Sequence, residues 1–169
     1  QYSVDGGDNW SNGSGISFVL SAGSYDAGDV RVRQSDVVGN TSAATQMGSI
    51  TVDQTNPAAP ALALEEDTGA SSTDLITSNG QVNVSAVESN GTWEYSTDGG
   101  SNWAAGSGSS FTLSAGSYDA GDVRVRQTDL AGNTGAEASM GAITVDGSAP
   151  TAPTVTTRTT NDTTPTITG

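Results

Sequence analysis

The chain has 169 residues, with no Cys, no His, five basic residues and 19 acidic ones, and its net charge is −14. This composition excludes a disulfide framework and the usual Cys/His zinc sites, and it leaves nucleophile–histidine catalysis without its base. Nucleic acid is a poor partner for so acidic a surface, and no stretch approaches the roughly 18 apolar residues of a membrane helix. We therefore expect neither nucleic-acid binding nor membrane insertion.

The sequence repeats itself with an offset of 93 residues. Residues 1–60 align without gaps on residues 94–153, and 41 of these 60 positions are identical. The string SAGSYDAGDV, for example, occupies residues 21–30 and again residues 114–123. Such a period exceeds the roughly 40–50 residues of a helical solenoid repeat or propeller blade and suits a β-sandwich of about 100 residues.

Two proline-containing stretches divide the chain into predicted domains. Residues 54–60 and 147–153 are predicted linkers, because paired prolines stiffen a short extended segment. Residues 1–53 then form a partial repeat with only the later strands, residues 61–146 a complete repeat, and residues 154–169 the opening strands of a further repeat. We expect the partial repeat to expose an apolar face and a sheet edge, which the tail of another chain could complete.

The complete repeat contains strand signals in chain order. Leu62 and Leu64 open it, and polar and apolar residues then alternate over 81–87, 92–96, 110–113, 122–127 and 142–145. This period of two is typical of half-buried strands, and Gly, Asn, Asp and Ser separate the segments. Tyr118 stands where a tyrosine corner is expected. The prediction is all-β: tandem immunoglobulin-like β-sandwiches of Greek-key topology, with about seven strands each.

The pattern S-x-D-x-G-x-x-W occurs at residues 3–10 and 96–103 and is similar to the Asp-box of sialidase-type propellers. We interpret it as a structural hairpin turn. Asp5 and Asp98 would accept hydrogen bonds from turn amides, and Trp10 and Trp103 would pack back on the hairpin.

The remaining acidic and amide residues gather in turns at strand ends and beside the linkers. If repeats stack head to tail, loops of one repeat, the linker aspartate and loops of the next repeat meet at a junction. Such a cluster of oxygen atoms suits Ca²⁺, although Asp and Asn also serve simply as turn residues. The candidate calcium ligands are Asp53, Asp146, Asp67, Asp74, Asp129, Asn133, Asp36, Asn40, Asp119, Asp122, Asp26 and Asp29.

Several strings resemble bacterial immunoglobulin-like repeats in the extender regions of large RTX-type surface adhesins and biofilm proteins. They are EDTG at 66–69, WEYSTDGG at 93–100, VRVRQTDLAGN at 123–133 and ITVD at 143–146. The resemblance implies type I secretion, an extracellular position on the bacterial cell surface, and Ca²⁺ that rigidifies repeat junctions.

The function expected from the sequence is therefore that of a non-enzymatic spacer whose partners are neighbouring repeats of the same chain. Two alternatives stay open. One is a module that binds carbohydrate or another surface ligand, which would require solvent-facing tryptophans. The other is an extracellular filament that assembles by strand complementation between chains. A glycosidase with paired carboxylates is disfavoured, because no acidic pair has the apolar setting that raises a pKa.

Overall fold

The computed structural model describes residues 1–155, 157, 159–161 and 163–166. All regular elements in this part of the chain are β-strands, which confirms the predicted all-β sandwich class. A search of the same residues for a helix long and apolar enough to cross a membrane finds none. The opening strands predicted for 154–169 fall partly on positions outside the described residues, and the described positions of that stretch belong to no strand.

Residues 1–53, here called the N-terminal unit, form two small sheets. The strands are β1 (Tyr2–Ser3), β2 (Gly23–Tyr25), β3 (Arg31–Val32), β4 (Thr45–Gln46) and β5 (Ile50–Val52). One antiparallel sheet has the order β1-β3-β4, and the other pairs β2 with β5.

Residues 61–146, here called the central unit, contain ten strands rather than about seven. They are β6 (Ala61–Leu64), β7 (Ile76–Thr77), β8 (Gln81–Ser85), β9 (Thr92–Ser96), β10 (Ala104–Ala105), β11 (Ser110–Thr112), β12 (Gly116–Tyr118), β13 (Arg124–Thr128), β14 (Ala138–Ser139) and β15 (Ile143–Val145). The larger number arises because β7, β10 and β14 are pairings of only two residues.

The strands of the central unit form three sheets around one core. The sheet orders are β10-β9-β13-β14, β11-β8-β6 and β12-β15-β7. The pairs are antiparallel except for β15 and β7, which run parallel. The buried cluster consists of Val82, Val84, Trp93, Phe111, Leu113, Val123, Val125, Ile143 and Val145.

The two-residue period of the strands explains this core. In β8 the side chains of Val82 and Val84 are buried, whereas those of Asn83 and Ser85 are exposed. Successive side chains of a strand point to opposite faces, so alternating apolar residues supply one continuous buried face. The Tyr118 hydroxyl donates to a backbone carbonyl four residues upstream over 3.0 Å, as expected for a tyrosine corner.

Strands β6 and β8 define the two ends of the central unit. Ala61 pairs with Ser85 and Leu64 with Val82, so β6 leads away from the linker while β8 returns towards it. The linker 54–60 and the turn 86–91 therefore share the linker-proximal end. The loop 65–80 lies at the distal end.

Candidate functional site

The two S-x-D-x-G-x-x-W segments form the same hydrogen-bonded hairpin. Asn102 donates its backbone N–H to Asp98 Oδ1 (2.9 Å) and its Nδ2 to Oδ2 (2.6 Å), while Ser96 Oγ also donates to Oδ1 (2.7 Å). Asp5 and Asn9 repeat these contacts at 3.0 and 2.6 Å. Bonds to the charged carboxylate, chiefly from the Asn102 side chain, lower the pKa of Asp98 to about 2. The backbone N–H of Asn9 is the main cause of a lowered pKa at Asp5. Both carboxylates are thus engaged in holding their turns.

The tryptophans of these hairpins are half-buried and partly covered. The indole N–H of each donates to a glycine carbonyl of its own hairpin, over 2.8 Å for Trp10 and 3.0 Å for Trp103. The guanidinium of Arg33 lies 3.9 Å from the Trp10 ring centre, and that of Arg126 lies 4.1 Å from the Trp103 ring centre. One face of each indole is therefore occupied by a cation–π contact and is closed to a stacking sugar.

The paired aspartates around the glycine turn lie beside the hairpin. Asp122 Oδ2 accepts the backbone N–H of Asp119 over 2.8 Å, and Asp29 accepts that of Asp26 at the same distance. The carbonyl of Asp122 also accepts a hydrogen bond from the backbone of the 96–103 hairpin. Because Thr92 follows the linker-proximal turn and Arg124 pairs with Ser96, the hairpin and these aspartates lie towards the distal end of the central unit, where the chain leaves it.

The turns 36–40 and 129–133, which precede β4 and β14, are each closed by an aspartate–asparagine pair. Asn133 donates its backbone N–H to Asp129 Oδ1 and its Nδ2 to Oδ2, both over 2.8 Å, and Asn40 bonds to Asp36 over 2.8 and 2.7 Å. These bonds, with the asparagine side chain as the main cause, lower the pKa of Asp36 and Asp129. One contact distinguishes the two turns: Asn133 Nδ2 also donates to the backbone carbonyl of Asp53 over 3.1 Å.

That contact belongs to a cleft between the end of β5 and the linker-proximal end of the central unit. The cleft has a volume of about 290 Å³. Its lining residues are Thr51, Asp53, Glu88, Ser89, Asp129, Leu130 and Ala131. Three carboxylate side chains from segments far apart in sequence thus border one cavity. Our sequence analysis expected this meeting for Asp53 and Asp129 but did not include Glu88 among the candidate ligands.

Gln127 fixes the linker to the central unit, and sequence reasoning missed it. Its side chain is 1% exposed. Nε2 donates to the carbonyls of Ala58 (2.7 Å) and Ala86 (3.1 Å), and Oε1 accepts the backbone N–H of Glu88 (2.8 Å). The available signal was the alternation of β13, which places Gln127 on the same inward face as Val125.

A close backbone contact also holds the linker against the central unit. The carbonyl of Pro57 packs against Gly135, and a Cβ at position 135 would overlap it. Position 42, the counterpart of 135 in the N-terminal unit, is a serine. The glycine is therefore a feature of the unit whose linker is docked.

The distal end holds the other predicted ligands. Asp67 Oδ2 accepts the backbone N–H of Leu75 over 3.0 Å, whereas its Oδ1 is buried and has no hydrogen-bond partner among the described residues. Asp74 lies in the same loop. Asp146 donates its backbone N–H to the carbonyl of Thr77 over 2.9 Å, which brings the start of the second linker beside this loop.

Both ends offer the ligand chemistry of calcium, namely carboxylate, amide and carbonyl oxygens. The carboxylates border their cavities, but they do not point to a common centre. Within the described part of the chain, no three acidic side chains form a group that could hold a metal ion. The unpartnered oxygen of Asp67 is the most specific feature, since a buried carboxylate oxygen requires a donor, a water molecule or a cation.

A scan against models of known protein families found no match for this chain, and a search of curated proteins found none either.

Proposed function

We propose that the chain is a non-enzymatic spacer from the extender region of a large RTX-type adhesin on the bacterial cell surface. In this role it serves cell adhesion or biofilm formation by holding a distant binding domain away from the cell. The observation that carries the proposal is the docked linker. Asp53 and Ala58 are hydrogen-bonded to the linker-proximal end of the central unit through Asn133 and Gln127. A linker held in this way transmits the direction of one unit to the next.

Calcium would strengthen this junction. Asp53, Glu88 and Asp129 border one cleft, and they are the residues that would hold the ion. Bound calcium would neutralise carboxylates that otherwise repel one another, in a chain whose net charge is −14. Asp67 and Asp146 form the corresponding acidic surface at the distal end, which would face the next repeat. The hydrogen bonds from Asn133 and Gln127 already restrict movement of the linker against the central unit. The cation would remove the repulsion that remains between the carboxylates.

A thermal melt tests the calcium dependence directly. The chain is melted in excess EDTA, in about 10 mM CaCl₂ and, as a control, in about 10 mM MgCl₂. This calcium concentration is about 10–100 times the dissociation constant of about 10⁻⁴–10⁻³ M that is typical of extracellular calcium modules. At that saturation one site adds about 1.4–2.7 kcal/mol to the folded state. Equal melting temperatures in EDTA and CaCl₂ would overturn the calcium-bridged junction.

The repeat supplies a matched control for the site. Asp129→Asn removes a carboxylate from the junction cleft. Asp36→Asn makes the same change in the equivalent turn of the N-terminal unit, whose Asn40 has no linker contact like that of Asn133 among the described residues. We expect the Asp129 variant to lose most of the calcium-dependent stabilisation and the Asp36 variant to keep it. Loss of equal size in both would assign the effect to the turn and not to the junction.

A further inference from the structure

A second cavity lies on the side of the central unit, between the edge strands β6 and β14 and the loop that follows β6. Its volume is about 450 Å³. Leu62, Leu64, Leu75 and Met140 line it, and these four side chains are partly buried and pack against the core. Asp67 lines it as well. The cavity therefore combines an apolar wall with one carboxylate, and it is separate from the junction cleft.

The carboxylate of Asp67 is only partly satisfied by the protein. Its Oδ2 accepts the backbone N–H of Leu75 over 3.0 Å, whereas its Oδ1 is buried and has no hydrogen-bond partner among the described residues. A buried carboxylate oxygen without a donor destabilises the folded state. A ligand that brings an N–H donor to Oδ1 removes this penalty, so the oxygen can add affinity that a fully bonded carboxylate could not.

Strand β6 adds main-chain acceptors beside the same cavity. The Glu65 N–H donates to the Gln81 carbonyl over 2.9 Å, which sets the hydrogen-bonding alternation between β6 and β8. The carbonyls of Leu62 and Leu64 consequently point away from β8, to the open edge that borders the cavity. An ammonium group has three N–H donors, and a carboxylate oxygen with nearby carbonyls suits it.

The lining favours an organic cation over a metal ion. Ca²⁺ requires about six to eight oxygen ligands, whereas most side chains of this wall are hydrocarbon or thioether. The chain contains no lysine, and none of the described arginines lines the cavity. A net charge of −14 attracts cations from outside. An aliphatic ammonium fits both parts of the cavity, because its stem packs on apolar side chains while its head remains at a polar group.

The unit that follows along the chain does not cover this side of a repeat. Residues 139–141 form the β14 wall of the cavity, and residues 46–48 are their counterparts in the N-terminal unit. Residues 46–48 are exposed although the central unit follows them. A site at this position therefore stays accessible when repeats are joined in series.

We propose that the cavity binds an aliphatic ammonium group, the chemistry shared by a lysine side chain and a small alkylamine. The ammonium group donates to Asp67 Oδ1, and the alkyl stem packs on Leu62, Leu64 and Met140. The proposal goes beyond the spacer role and does not require calcium. Its test is therefore run in excess EDTA, and its failure leaves the proposed function untouched.

An NMR titration of the leucine and methionine methyl groups tests the site with pentylammonium at about pH 7, where an alkylamine is protonated. The matched neutral probe is 1-pentanol, which has the same stem. We expect pentylammonium to bind at least about tenfold more tightly, because it forms a charge-assisted hydrogen bond, and the shifts to centre on the methyl groups that line the cavity. Equal affinities of the two probes would overturn the proposal.

Two variants of the loop locate the charge. Asp67→Asn keeps the shape of the side chain and an oxygen for the Leu75 N–H, so it should abolish the advantage of pentylammonium over 1-pentanol. Asp74→Asn removes the same charge from the same loop, but Asp74 does not line the cavity, so this variant should retain the advantage. Equal losses in the two variants would show a general charge effect and overturn the proposal.

A lysine supplied by the chain keeps the proposal testable if Asp67→Asn disturbs the loop. Ser72 lines the cavity and is exposed, whereas Ala70 is exposed and does not line it. Ser72→Lys should raise the melting temperature above that of Ala70→Lys and weaken pentylammonium binding at least about tenfold, since the attached group competes at high effective concentration. Identical behaviour of the two lysine variants would refute the site.

A capped peptide, acetyl-Gly-Lys-Gly-amide, distinguishes the two sources of the ligand. Tighter binding of this peptide than of pentylammonium would identify a protein lysine as the ligand, and tighter binding of pentylammonium would identify a small amine; either result supports the site. A separate titration with CaCl₂ addresses the competing occupant. Shifts of the same methyl groups with calcium, lost in Asp67→Asn, together with no response to pentylammonium, would assign Asp67 to a metal ion and overturn the proposal.

Discussion

Replacing Gln127 by methionine should release the linker from the central unit. Methionine has a similar volume and no amide, so it removes the bonds to Ala58, Ala86 and Glu88 while filling the same space. Each hydrogen bond contributes a net of about 0.5–1.5 kcal/mol, and the loss should therefore total about 3 kcal/mol. For a unit of this size that corresponds to a melting temperature lower by about 12–24 °C.

Urea denaturation followed by tryptophan fluorescence measures this change, because Trp93 is buried in the core of the central unit. Hydrogen exchange of the Glu88 backbone N–H supplies the second readout, because that group donates to Gln127 Oε1 and should lose its protection in the variant. The control is Gln34→Met, at the counterpart of Gln127 in the N-terminal unit, where the side chain is exposed. It should change stability by no more than about 0.5 kcal/mol. Similar losses in both variants, or unchanged exchange of the Glu88 N–H in Gln127→Met, would refute the role assigned to this side chain.

Three further predictions concern the core, the linker and the hairpin. Val125→Ala removes two buried methyl groups and should cost about 2–3 kcal/mol in urea denaturation, whereas Val32→Ala at the half-exposed counterpart should cost about 1 kcal/mol or less. Gly135→Ser should lower the melting temperature, because the new Cβ displaces the Pro57 carbonyl that packs there, and an unchanged melting temperature would contradict this. Asp98 has its pKa lowered to about 2, so its stabilising effect is present above about pH 4 and is lost as the pH falls towards 2. The melting temperatures of the native chain and Asp98→Asn should therefore converge on acidification, and a constant difference would argue against the hydrogen-bonded carboxylate.

The sequence was sufficient for features that depend on neighbouring residues. Alternation in β8 and β13 predicted strands and their buried faces, because side-chain direction in a strand follows from position alone. The Asp98 and Asp129 turns were recognisable because each carboxylate bonds to an asparagine four residues later in the chain. The repeat also indicated which positions are equivalent. Equivalent positions still differ in burial, since Val32 is 45% exposed whereas Val125 is 0% exposed.

Only the tertiary structure decided how the units meet. Gln127 contacts a residue 69 positions away, and Asn133 contacts one 80 positions away. No local pattern encodes such pairs: Asn133 has the same two neighbours as its exposed counterpart Asn40, and the neighbours of Gln127 differ from those of Gln34 only in a threonine for a serine. Local chemistry therefore determined the turns and the strands, and long-range pairing determined which of them form the junction.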